Sequence, residues 1–139
     1  MNEDQMENLV LSYFKGVDSE DFDMIQSTLS KDCRLTVETH NVELNGHQEI
    51  KKMFKNLWKN HKSVLHHEFK FLTNAYLNKL SVQFNVVNIL KNNEIVNKSN
   101  CNFFTFDKKL FTEINIYMAG KNTILKSYII IIQILIDHT

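Results

Sequence analysis

A chain of 139 residues with sixteen Lys and Arg against sixteen Asp and Glu has no formal net charge, and 43% of it is apolar. That length bounds one domain with one core, and the balance of charge excludes the clustered basic surface on which nucleic-acid binding rests. Met1 to Gln5 lack the basic start and apolar run of a secretory leader, so a cytoplasmic location is expected, with Cys33 and Cys101 as two buried thiols rather than a disulfide or metal site.

Met6, Leu9, Val10, Tyr13, Phe14 and Val17 recur at spacings of three and four, predicting a first helix with Asp4 as N-cap and Glu7 three residues later. A shorter helix is expected over about 19–29, with Phe22, Ile25 and Leu29 on one face. The period then changes to two: Leu35, Val37 and Thr39 alternate with polar residues, and His40 and Asn41 turn the chain into a short partner strand through Val42 and Leu44. Asn45 and Gly46 open a third helix, with Gln48 placed for a capping box and Ile50, Met53, Phe54, Leu57 and Trp58 as its buried stripe.

Beyond that helix the pattern predicts strands at about 64–73, 79–91, 95–106 and 110–119, separated by turn signals at Asn74, Asn92–Asn93 and Asp107–Lys108. Helices first and a meander last indicate an α+β fold rather than a parallel βαβ sheet. The stretch Ile124 to Ile136 is almost wholly apolar, broken by Lys126, Ser127 and Gln133. It is well short of the ~20 residues a membrane-spanning helix needs. The expected organisation is a domain over 1–122 and an apolar extension over 123–139. That extension is read as a strand or helix packed on the body or a twin subunit, a membrane-associating tail and a frame-shifted sequence being the alternatives.

The order helix, helix, short hairpin, helix, four-strand meander resembles the nuclear transport factor 2-like superfamily, which includes SnoaL-like (polyketide cyclase-like) domains and ketosteroid isomerases. The resemblance is carried by Val10–Phe14, Asp21–Ile25, Lys31–Cys33 and Gly46–Phe54, the last similar to the family's G-x-x-x-I-x-x-x-F pattern. It covers about residues 6–122. It implies a cystatin-like cone in which three N-terminal helices pack on a curved antiparallel sheet around an internal apolar pocket. It also implies a small apolar ligand and a homodimer. Such a scaffold hosts enzymes and binding modules alike.

The same resemblance places Tyr13 at the position of an isomerase's oxyanion-stabilising tyrosine and Asn102 near its protonated aspartic acid; the Asn102 amide NH₂ can likewise donate. Both also have a plain structural reading, Tyr13 in the apolar stripe and Asn102 facing solvent. The position of the isomerase's general base is Val37, which has no proton acceptor, so classical steroid isomerisation is not expected. Leu65, His67, Phe69 and Phe71 share one strand face by period two. His67 is therefore the expected pocket histidine, as in dehydratases of the superfamily, or else a rim histidine. Phe14, Val37, Phe54, Trp58, Phe69 and Phe104 are the expected ligand-contacting residues.

His66, His67 and Glu68 are dense in metal-ligand types, but neighbouring strand residues face opposite ways, and neither a metal nor a cofactor is expected. Two functions are open at this point: a cofactor-free isomerase, cyclase or dehydratase using Tyr13, Asn102 and His67, and a non-catalytic ligand-binding or dimerisation module.

Overall fold

A computed structural model describes residues 1–120, so the extension over 123–139 lies outside the described residues. Helix α1 spans Glu3–Asp18. Its N-cap is Asn2 rather than Asp4: the Asn2 side chain accepts from the Gln5 N–H at 2.8 Å and the Gln5 side chain accepts from the Asn2 N–H at 2.9 Å. Asp4 sits in the first turn, where its charge complements the helix dipole. Helix α2, Phe22–Gln26, is shorter than expected and is capped by Asp21, which accepts from the Met24 N–H at 3.1 Å.

Strand β1 (Leu29–Val37) and strand β2 (Val42–Asn45) form the expected short hairpin. The turn between them holds one turn of 3₁₀ helix over Glu38–His40 and Asn41 in the left-handed region at φ 53°. Helix α3 spans Gly46–Asn60. Glu49 rather than Gln48 returns to its N-terminus, accepting from the Asn45 N–H at 3.4 Å. Strands β3 (His61–Asn74), β4 (Lys79–Leu90), β5 (Ile95–Asp107) and β6 (Leu110–Tyr117) complete the meander.

The strands join in one sheet in the order β2-β1-β6-β5-β4-β3. The pairing of β1 with β6 is parallel and the others are antiparallel. The sheet is therefore mixed at one seam, because β6 closes the meander against the first strand from the same direction. Alternate residues Val82, Phe84 and Val86 of β4 and Phe104 and Phe106 of β5 are buried beneath the helices.

Tyr13 is at the centre of that core, 2% exposed, with the rings of Phe14, Phe54, Phe104 and Phe111 edge-on to it at 5.0–6.0 Å. Such contacts add to the gain from burial itself. On the outer face Arg34 of β1 pairs with Glu43 of β2 at 2.8 Å and with Glu113 of β6, tying the hairpin across the parallel seam.

One irregularity in β3 decides the site. His66 lies opposite Val86 and His67 opposite Asn85, but the next pair is Lys70 with Gln83. Strand β3 thus advances three residues while β4 advances two, a bulge with Glu68 at φ 58°. Val64 and His66 face inward before the bulge, and Phe69 and Phe71 face inward after it. Leu65, 53% exposed, faces out.

Candidate functional site

Between α1, α3 and the concave face of β4 and β5 lies a cavity of about 50 Å³. Its apolar wall includes Phe14, Met53, Phe54 and Leu57, and its polar wall is Asn88, Lys98, Asn100 and Asn102. Tyr13 and His66 complete it. A water occupies ~30 Å³ in the liquid, so the space holds one or two, whereas small-molecule pockets are typically ~300–1,000 Å³. The aromatic side chains fill most of the expected pocket.

The polar wall follows from period two on two adjacent strands. Asn88 of β4 and Lys98, Asn100 and Asn102 of β5 are inward positions, and all four are buried. The Asn100 side-chain Oδ1 accepts from the Ala119 N–H at 3.0 Å, pinning the chain just past β6. Asn102 is 2% exposed, and its Oδ1 has no hydrogen-bond partner among the described residues. A buried amide oxygen left in this state costs ~1–3 kcal/mol and is poised for a donor.

Tyr13 lines the same cavity. Burial raises its pKa far above the ordinary phenol value, and the nearby Cys33 raises it further. The phenol is therefore a hydrogen-bond donor at any physiological pH. Cys33, buried beside it, is itself pushed up to about 12 by burial and by the Glu113 carboxylate.

His66, not His67, is the cavity histidine. The bulge at Glu68 turns the strand between the histidines and the phenylalanines, so His67 shares its face with the solvent side of β4 rather than with Phe69 and Phe71. The acid that orients His66 comes from the last residue of α1. Asp18 Oδ1 accepts from His66 Nδ1 at 2.5 Å, and Asp18 Oδ2 accepts from the His66 N–H at 2.9 Å. With Nδ1 committed as donor, the neutral ring keeps its lone pair on Nε2. The ring packs against Phe14, 4.7 Å away, and Phe84, 5.4 Å away, which also touch each other at 4.7 Å.

The remaining expected residues divide. Phe14 and Phe54 line the cavity. Val37 and Phe104 are buried in the core and are not among the residues that line this cavity, and Trp58 turns away, its Nε1–H donating to the Val17 carbonyl at 2.9 Å. Phe69 lines a groove on the outer side of His66 instead. That groove, about 350 Å³ between α1 and β3, shares Phe14 and His66 with the cavity. Among the described residues that line the cavity there is no Asp or Glu. Among the described residues no group of His, Cys, Asp and Glu side chains is placed to hold a metal ion, and no helix is long and apolar enough to cross a membrane.

Comparison with solved structures places the chain on a known scaffold. A candidate polyketide cyclase from Xanthomonas campestris pv. campestris superposes with a TM-score of 0.77 at 13% identity, over 92% of this chain and 96% of that one. A candidate ketosteroid isomerase from Kribbella flavida gives 0.69 at 12% identity, over 86% and 81%. A nuclear transport factor 2-like protein from Exiguobacterium sp. 255-15 gives 0.71 at 10% identity, over 81% and 99%. No family model matches the chain, and no curated protein matches it significantly by sequence. At these identities the likeness establishes the fold: the chain has the α+β cone of the nuclear transport factor 2-like superfamily, shared with SnoaL-like polyketide cyclases and ketosteroid isomerase-like proteins.

Proposed function

We propose that this cone carries a cofactor-free acid–base site for lyase or isomerase chemistry on a small carbonyl- or hydroxyl-bearing molecule. The observation that carries the reading is the Asp18–His66 pair, which fixes Nδ1 as donor and leaves the Nε2 lone pair open on a ring that lines a cavity together with Tyr13 and Asn102. In this reading Nε2 takes a proton from the carbon beside the carbonyl. The electron pair moves onto the carbonyl oxygen, where the Tyr13 hydroxyl and the Asn102 amide donate to it, and the proton returns from Nε2 to the product. His66 takes over the part that Val37 cannot play. Asp18 steadies the imidazolium that forms.

The size of the cavity favours a second reading, a binding module without turnover. About 50 Å³ holds no steroid unless Phe14 or Phe54 shifts. In that case the outer sheet face is the working surface: Phe103 and Tyr117, 46% and 42% exposed, lie edge-to-face at 5.8 Å and would meet a twin subunit.

Deuterium exchange at the α-carbon of small ketones and enones, followed by NMR in D₂O, separates the two. The acid–base reading expects exchange above the buffer rate that falls in both Tyr13→Phe and Asn102→Ala. Exchange at the buffer rate for every compound, with melting-temperature rises for some of them, favours the binding module.

A further inference from the structure

We propose that the groove between α1 and β3 is a binding site for a planar aromatic carboxylate, beside His66 but outside the cavity that Tyr13 and Asn102 line. The inference stands on the groove alone.

The groove has the volume that the cavity lacks. Its roughly 350 Å³ falls in the range of small-molecule sites, ~300–1,000 Å³. Its walls suit a flat ring. Leu11, 39% exposed, stands on the helix side, and Phe69 stands on the strand side. The Phe69 ring already packs on Phe14 at 5.1 Å with 35° between planes, so a further ring extends an existing aromatic row.

The charges select the ligand's sign. Leu11 and Lys15 are four residues apart on α1, hence on one face, and Lys15 is an exposed wall of the groove. No ion pair occupies the Lys15 ammonium among the described residues. The groove's one carboxylate, Asp18, has both oxygens engaged by His66. The Lys15 ammonium is therefore the charged group with donors still open to a ligand, and a carboxylate on the ring is the group that meets it. The ligand's opposite edge then lies toward the His66 ring, which separates groove from cavity.

The test is titration of the full-length protein with benzoate and with benzamide, its uncharged counterpart, followed by ¹H–¹⁵N NMR. Benzoate is expected to shift amides of residues 11–19 and 66–69 and to bind about tenfold more weakly to Lys15→Met, the scale of one lost charge-assisted contact. Benzamide is expected to bind wild type about as weakly as benzoate binds Lys15→Met. Leu11→Glu, also at an exposed position, is expected to abolish both. Benzoate seated in the groove of a protein that catalyses no α-proton exchange would keep the site and remove only the acid–base reading. Benzoate binding that is lost in Asn102→Ala but indifferent to Lys15→Met and Leu11→Glu would place the ligand in the cavity and overturn the inference. So would the absence of any benzoate-dependent shift around the groove.

Discussion

The Asp18 carboxylate grips His66 twice, accepting from the ring Nδ1 at 2.5 Å and from the backbone N–H at 2.9 Å. It comes from the last residue of α1, so the end of that helix sets both the position and the tautomer of a histidine forty-eight residues later. Both side chains are mostly shielded from water, which makes the contact stronger than a surface pair.

Removing Asp18 should therefore be visible in the ring itself. In wild type, long-range ¹H–¹⁵N spectra are expected to show neutral His66 protonated on Nδ1. Asp18→Ala is expected to release that tautomer and to cost about 2 kcal/mol of stability in urea unfolding, the scale of hydrogen bonds to a charged group. An unchanged tautomer in Asp18→Ala would break the proposed link.

Asn102 is expected to trade stability against function. Its buried Oδ1 has no partner among the described residues, so Asn102→Leu, similar in size and apolar, should raise the unfolding free energy by about 1 kcal/mol. The same change should remove any ligand that the amide holds. A less stable Asn102→Leu would mean that the amide already has a structural partner.

Gly16 is required by packing. A Cβ there would stand 2.8 Å from Ile25 Cγ1 and 3.1 Å from the Asp21 carbonyl oxygen, where α2 crosses close to α1. Gly16→Ala improves helix propensity by ~1 kcal/mol, yet overpacking costs ~1–3 kcal/mol. Net destabilisation of about 1 kcal/mol is expected by denaturant titration.

Stability should fall in alkali for two buried acids. The Cys33 thiol is raised from 9.0 to about 12, and the Tyr13 phenol is raised from its ordinary 10.0. Both keep in the native state a proton that the unfolded chain gives up. Their contribution is thus intact below about pH 9 and is lost as pH rises, Cys33 first and Tyr13 adding above pH 10. Each group should contribute ~1.4 kcal/mol per pH unit within its window. Urea midpoints between pH 8 and 11 should show the fall, with a shallower onset in Cys33→Ala.

Most of the fold was legible in the sequence because its signals are local. The apolar stripes of α1 and α3 and the alternation in the four long strands need only neighbouring residues. The parallel seam between β1 and β6 was hidden, since no local pattern reports which distant strand will close a sheet. The same limit hid Asp18, whose partner is set by the packing of a helix end on a strand. His67 was favoured over His66 because period two was carried unbroken from Leu65 to Phe71. One extra residue at Glu68 reverses the faces, and a charged residue at positive φ leaves no clear composition signal. Tyr13 and Asn102 were found at the cavity because their elements run without such a break, whereas Trp58, Val37 and Phe104 belong to the core that fills the cone.

The decisive measurement is α-proton exchange by His66→Gln and His67→Gln side by side, each checked for native circular dichroism, on whichever small ketone or enone wild type exchanges. The account expects His66→Gln to fall to the buffer rate and His67→Gln to keep the wild-type rate. Loss in His67→Gln with retention in His66→Gln, or retention in both, would contradict the assignment of His66 and Asp18 as the working pair.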